Sequence, residues 1–293
     1  MRKLFIVCIF VVFLFNGCKE SYENKILSDD TVVLRYAETE KKGTYLSNIS
    51  DYFAQLVQQE SDGKIIIKVY YEGELGSEEE VLTQLQFGGI ALGRVNVLSV
   101  SEQVPSFITS FSKLIGSSFD SFLDYIENND NYNFAFQNEK LCPLTILPPS
   151  KRCIYSDENI DFDNYDQIRV GIDNSQMYQN FLQRWDINPI FIGNIATFPS
   201  LRNGFIDAKE STLSSFVNCD EYPYIQEVAI LDHVTLPSFI LFSNEVLNQL
   251  SRDEVKILEE CAIKTLEYSK NYIAREEYLA IEQVARDKNM RRF

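Results

Sequence analysis

The order of hydrophobic periodicities between Thr31 and Val100 narrows the possible folds more than any other feature of the chain. TVVLRYAE, from Thr31 to Glu38, reads as a strand. It is followed by KGTYLSNISDYFAQLVQQESDG, in which Leu46, Ile49, Phe53, Leu56 and Val57 fall at helical spacing and Gly63 supplies a C-terminal stop. KIIIKVYY, Lys64 to Tyr71, is apolar enough for a strand buried on both faces. Ser77 and Glu80 have capping-box spacing, which predicts a helix that carries Val81, Leu82 and Leu85 and ends near Gly88. ALGRVNVLSV then predicts a third strand. Strand, helix, strand, helix, strand is the pattern of a parallel sheet covered by helices, so the fold class is α/β.

A less regular stretch follows from Ser101 to about Tyr132, with a helix near Phe119 to Glu127. A second α/β run begins around Leu144. It contains the strand in YDQIRVGIDN, a helix from about Ser175 to Trp185, the short strand in NPIFIG and the segment LRNGFIDAKEST. SFILFSNEVLNQL, after Pro237, predicts another buried strand and a short helix. Ser251 and Glu254 repeat the capping-box spacing, and no Gly or Pro follows them, so one long helix closes the chain with Val255, Leu258, Ala262 and Leu266 among its apolar positions. These runs predict a two-lobed protein, with residues 31–143 and 236–293 assigned to lobe I and the long helix, and residues 144–235 to lobe II.

The first thirty residues read differently. MRK precedes an apolar run from Leu4 to Phe15, too short for a span that needs ~20 helical residues, so it reads as the core of an export signal. The ending Phe15-Asn16-Gly17-Cys18 resembles a bacterial lipoprotein processing site, although its leucine, Leu14, stands one position early. The resemblance implies lipid on Cys18, a polar tether over residues 19–30, and an extracytoplasmic domain held at a membrane surface. A net charge of −16 argues against a nucleic-acid partner, which requires a basic face.

Cysteine and histidine leave little room for metal or redox chemistry. Cys142, Cys153, Cys219 and Cys261 include no CxxC pair, and His233, the single histidine, sits among apolar residues in AILDHVTLP. No metal site or cofactor is expected. Cys142 and Cys153 flank LPPS, which leaves open whether they form a disulfide across two strands. An exported hydrolase would need a nucleophile with a base, and neither GxSxG nor HExxH is present, so the chain reads as non-enzymatic.

Three blocks, in order, carry a family resemblance. GKIIIKVYYEGELGSEEEVLTQLQFGGI, YDQIRVGIDN with NPIFIGNIATFPSLRNGFIDAKEST, and HVTLPSFILFSNEVLNQLSRDEVKILEECA together resemble the solute-binding subunit of tripartite ATP-independent periplasmic (TRAP) transporters, the DctP-type family. The resemblance implies a clamp that traps a small organic anion and delivers it to membrane permease subunits, with no chemical step. It assigns the family's strand arginine, which pairs with a ligand carboxylate, to Arg169. Its second arginine falls nearest Arg152, for which a solvated strand residue is an equal alternative. A planar guanidinium suits the task because its fixed fork matches a carboxylate.

Two departures alter the site. The family's E-N-P is Glu210-Ser211-Thr212 here, so Ser211 replaces an asparagine contact, and Asp166-Gln167 precede Ile168 without the usual glycine. Asn96 and Glu38 stand at strand ends where open α/β sheets hold ligands, although the plainer reading is ordinary strand-end polarity. Arg286, Lys288, Arg291 and Arg292 read as a frayed, solvated helix end, with an acidic partner as the alternative. A competing functional class is an exported lipoprotein that binds other proteins or senses a ligand without transport. It leaves the Arg169 segment unexplained.

Overall fold

The structure is a computed structural model that describes residues 31–292 except 105–106, 108–110, 113, 129–135, 161–166, 174, 184–186, 193–196 and 232–233. Cys18, the signal segment, His233 and Asp166 lie outside the described residues. The chain opens as β1 (Val32–Ala37), α1 (Tyr45–Glu60), β2 (Ile65–Tyr70), α2 (Glu78–Gln86), β3 (Leu92–Asn96) and α3 (Val97–Gln103), then α4 (Phe119–Glu127), β4 (Leu141–Leu147), β5 (Arg152–Ser156) and β6 (Arg169–Ile172). It continues with α5 (Gln176–Gln183), β7 (Asn188–Phe191), α6 (Thr197–Arg202), β8 (Ala208–Thr212), α7 (Leu213–Val217), β9 (Glu227–Leu231), β10 (Ser238–Ser243), α8 (Asn244–Leu247), α9 (Arg252–Asp287) and β11 (Asn289–Arg292).

The strands form two sheets. The first has five strands in the order β2-β1-β3-β10-β4, with β1 parallel to both neighbours and β10 antiparallel to both of its own. The second has six in the order β11-β9-β5-β8-β6-β7, with β8, β6 and β7 mutually parallel and β5 antiparallel to β8 and β9. The chain leaves the first sheet after Leu147 and enters the second at Arg152, a few residues later than the expected boundary at 143/144, because β4 pairs with β10 along its length.

Local signals explain most of these elements. Both capping boxes form: Ser77 and Glu80 exchange side-chain to backbone bonds at the start of α2, and Ser251 and Glu254 do the same for α9. Gly63 ends α1 region with φ of +78° and donates its N–H to the Gln58 carbonyl. The expected third strand stops early. Asn96 accepts from the Leu98 and Ser99 N–H groups and caps α3, so VNVLSV is half strand and half helix.

Three apolar clusters hold the layers together. One contains residues of both lobes, among them Ala37, Val95 and Phe239 from the first sheet with Ile154, Val170 and Ile172 from the second. The other two meet α9 at different heights: Leu258, Cys261 and Ala262 pack into lobe I, and Ala280 and Val284 into lobe II. With 36 residues α9 is about 54 Å long, enough to cross both lobes. The basic terminus is not a frayed helix end. After Asp287 the chain extends as β11 and pairs in parallel with β9 of lobe II. The cysteine question also resolves: Cys142 on β4 and Cys153 on β5 are free thiols in different sheets. Among the described residues no helix is long and apolar enough to cross a membrane.

Candidate functional site

In open α/β sheets ligands sit beyond the carboxyl ends of the parallel strands, so those ends are the place to look in each lobe. In lobe I, β1 runs out into Glu38, Thr39 and Glu40, and β3 carries Arg94 two residues before the capping Asn96. The Arg94 guanidinium is 2% exposed and grips Glu38. Its Nε lies 2.8 and 2.9 Å from the two carboxylate oxygens and its Nη2 2.6 Å from Oε1. Its Nη1 reaches Ser238 at 3.2 Å and Glu78 at 3.6 Å. Glu78, at the first position of α2, accepts from the Asn96 backbone N–H at 3.1 Å, from the Asn96 side-chain amide and from the Ser99 hydroxyl at 2.7 Å. Burial works against the charge on Arg94, but the Glu38 and Glu78 carboxylates outweigh it and hold the guanidinium charged. Burial pushes the Glu78 carboxyl above its ordinary range.

Lobe II has a counterpart. Arg152 opens β5, and the antiparallel register sets Ile154 opposite Glu210 on β8, so Arg152 can reach the Glu210 carboxylate. Its Nε and Nη2 donate to the two oxygens of Glu210, and the Tyr178 hydroxyl donates to Oε1 at 2.8 Å. Arg152 is 8% exposed and Glu210 fully buried, and the guanidinium lies 5.7 Å from the Tyr178 ring centre. Desolvation opposes the arginine's charge, yet the Glu210 carboxylate keeps it protonated, while burial and Glu210 push the Tyr178 phenol well up. Just past β6, Asp173 accepts from Lys209 Nζ at 2.9 Å. Its surroundings favour the neutral acid, but the lysine prevails and its carboxyl titrates below the ordinary range.

The predicted site residues divide. Arg152 and Glu210 are brought together, and Glu38 lies in the facing lobe. Arg169 is elsewhere: it is the first residue of β6, at the opposite end of the strand from Asp173, and it pairs with Asp207. Nη2 and Nε lie 2.6 and 2.9 Å from the Asp207 oxygens, the Arg169 backbone N–H adds a bond at 2.8 Å, and the side chain is 40% exposed. Asp207 also lines a cavity of about 300 Å³ with Asp157, Gln167, Leu201 and Arg202 on that outer rim. Ser211 stands opposite Cys153, and strand alternation turns it to the face away from Glu210. Asn96 is occupied as a helix cap.

Sequence reasoning passed over Arg94, Glu78, Tyr178, Lys209 and Asp173. The signal for Arg94 was available, because it interrupts an apolar strand as Arg169 does. The others depend on tertiary pairing. Among the described residues, no group of three or more His, Cys, Asp or Glu side chains is arranged to hold a metal.

The lobes meet through polar contacts around the facing strand ends. Ser215 on α7 donates to Glu40, with its hydroxyl 3.1 and 3.3 Å from the two oxygens, Lys41 pairs with Asp220 at 3.1 Å, and Ser175 donates to Glu102 at 3.1 Å. A cavity of about 190 Å³ between Glu40, Thr44, Ser215 and Asn218 opens beside the first of these contacts.

Known proteins share this frame. A solute-binding protein of Chromohalobacter salexigens is 21% identical over 216 residues, 72% of this chain and 64% of that protein's length, just under two thirds of it. A TRAP periplasmic solute-binding protein of Sulfitobacter sp. NAS-14.1, solved with bound β-D-galacturonate, superposes with a TM-score of 0.79 at 16% identity, covering 89% of this chain and 88% of that one. A sugar acid binding protein of Advenella mimigardefordensis in complex with galactonate also gives 0.79, at 18% identity over 90% and 87% of the two chains. At such identities the structures establish the fold. The family model for bacterial extracellular solute-binding protein, family 7, the DctP type, matches residues 36–112 and 158–291, which is most of the chain. On that match, and with the two-sheet frame it occupies, the chain belongs to the DctP family of bacterial extracellular solute-binding proteins.

Proposed function

We propose that the protein captures a small organic acid between its lobes and delivers it to the membrane permease subunits of a TRAP-type transporter. The observation that carries this reading is Arg152. It is a buried guanidinium at the strand-end edge of lobe II, held in a fixed orientation by Glu210 and Tyr178 and close enough to lobe I for its charge to act on Tyr45. A preorganised fork of this kind suits a carboxylate, and its low exposure favours a contact made away from bulk water. The solved relatives with bound galacturonate and galactonate support the ligand class. The Glu40–Ser215 and Glu102–Ser175 contacts join the two lobes and would help to hold a closed form, which a bridging ligand would favour over an open one. The anion contact is assigned to Arg152 rather than Arg169, a reading supported by the pairing of Arg169 with Asp207 at the other end of β6 from Asp173. Export through the leader and lipidation of Cys18 would keep the domain beside the permease, with residues 19–30 as tether.

Thermal unfolding with galacturonate, glucuronate and galactonate tests this, because a ligand of the native state raises the melting temperature by mass action. At least one of these acids, or an acid recovered from the purified protein by native mass spectrometry, should raise it. Arg152→Lys, which keeps the charge but loses the fork, should remove most of the shift, and Arg169→Ala should keep it. A full shift in Arg152→Lys together with its loss in Arg169→Ala would return the role to Arg169. Incorporation of a lipid label that survives Cys18→Ala would refute the anchor.

A further inference from the structure

The charged side chains at the facing strand ends do not balance, and the imbalance is local. Arg94 is matched by Glu38 and approached by Glu78, Arg152 by Glu210, and Lys209 by Asp173. Glu40 is left over. Among the described residues no basic side chain pairs with it, and its carboxylate accepts only from the Ser215 hydroxyl of the opposite lobe, which has a single proton to give. Glu38 and Glu78 surround it with further negative charge, and burial raises its carboxyl above the ordinary range despite Arg94. A partly buried carboxylate in this position calls for a cation.

Space and unused polar groups are present beside it. The 190 Å³ cavity is lined by Glu40, Lys41, Thr44, Ser215, Asn218 and Asp220, and the Lys41 charge there is taken up by Asp220. The next residue along the chain from Thr44 is Tyr45, and the residue before Ser215 is Ser214. Tyr45 Oη and Ser214 Oγ, one from each lobe and each on a residue 4% exposed, lie beside one another, and among the described residues neither bonds to any other group. Two buried hydroxyls at a lobe interface, with no partner beyond one another, keep hydrogen-bonding capacity for the polar atoms of a ligand. Arg152 and Glu277 also act on Tyr45, so this place lies within electrostatic reach of the proposed anion contact.

We infer that the occupant of the cleft is a zwitterion, a carboxylic acid that also carries a cationic nitrogen, with the acid group on Arg152 and the nitrogen seated against Glu40 between the lobes. This rests on the capture reading and narrows it. A plain acid anion would add to the acidic surplus around Glu40, whereas an ammonium or quaternary nitrogen would cancel it. An ammonium would also offer the Tyr45 and Ser214 hydroxyls a further donor.

Titration calorimetry with matched acids tests the inference: gluconate against 2-amino-2-deoxygluconate, and butyrate against 4-aminobutyrate, with the full-length mature protein and with Glu40→Gln. The glutamine keeps an acceptor for Ser215 and removes only the charge, and the melting temperature of the free variant checks its fold. The amino member of at least one pair should bind about tenfold tighter to wild type or better, and Glu40→Gln should remove that preference. Equal or weaker binding of the amino acids, or a preference that survives Glu40→Gln, overturns the inference. So does a nitrogen-free acid recovered with the protein by native mass spectrometry, and that outcome leaves capture through Arg152 standing. Binding by none of these acids, with no acid recovered, would bring down both readings.

Discussion

Two arginine–carboxylate pairs stand on neighbouring elements of the same six-stranded sheet, and they have little in common beyond their atoms. Arg152 and Glu210 are shut away from water, braced by Tyr178 and placed at the edge that faces the other lobe. Arg169 and Asp207 lie at the opposite end, 40% and 29% exposed, with no third side chain holding them among the described residues. Local sequence around the two is alike, an arginine in a short apolar strand. Both open their strands, and what separates them is strand direction. β5 runs antiparallel to β8, which sets Arg152 beside Thr212 at the carboxyl end of β8, whereas β6 runs parallel to β8, which sets Arg169 beside its amino end. Ligands of such sheets sit beyond the carboxyl ends. Strand direction, more than residue type, sets one pair at the edge where the lobes meet and the other at the opposite end of the sheet.

The contrast can be broken or sharpened by mutation, starting with the largest effect. Arg152→Met should cost about 3–5 kcal/mol in urea unfolding, because it strands the Glu210 charge in the interior. The double variant Arg152→Met/Glu210→Gln should recover much of that loss, so the coupling between the two sites in a double-mutant cycle should be large. A single-variant loss no greater than that of Arg169→Ala would erase the distinction. Next in size is Gly171→Ala, on β6 between the two ends. A Cβ there would stand 2.7 Å from Ile192 and 2.8 Å from Ile206, and the overpacking should cost about 1–3 kcal/mol in the same assay.

Arg169→Ala should be the mildest, since solvent screens an exposed pair. Its small effect should also depend on conditions. The hydrogen bonds and charge of Arg169 hold the Asp207 carboxyl below its ordinary value of 3.8. The contribution is therefore complete above that value and is lost as pH falls through the lower, folded one. Stability measured against pH should show wild type and Arg169→Ala converging in acid, and raising the salt concentration at pH 7 should narrow the gap as well. The cost of Arg152→Met should respond far less to salt.

The sequence was legible wherever the physics is local. Capping boxes at Ser77 and Ser251 predicted helix starts to the residue, and the absence of Gly and Pro after Ser251 predicted α9. The alternation of strand and helix gave the α/β class. Legibility failed where a residue's partner is distant in sequence. Arg152 and Glu210 are separated by 58 positions and Arg94 and Glu38 by 56, so nothing near either arginine announces a buried pair. Arg169 drew attention because a family pattern surrounds it, but the same periodicity fits a rim residue equally well. Asn96 misled in another way. It sits in an apolar stretch whose pattern continues as a strand, and its side chain ends that strand by capping the next helix.

Helix α9 has a mechanical consequence. It is anchored in lobe I near Leu258, in lobe II near Val284, and locked at its far end by β11 in the lobe II sheet. Each residue of a helix turns the chain by about 100° and advances it by about 1.5 Å, so its length works as a gauge between the lobes. Inserting one residue near its midpoint would swing Ala280 and Val284 off their seats and pull β11 out of register. Inserting seven would restore the facing but lengthen the strut by about 10 Å. A chain built this way tolerates little change in the span between its two halves, and any opening of the clamp must flex the strut or roll a lobe along it.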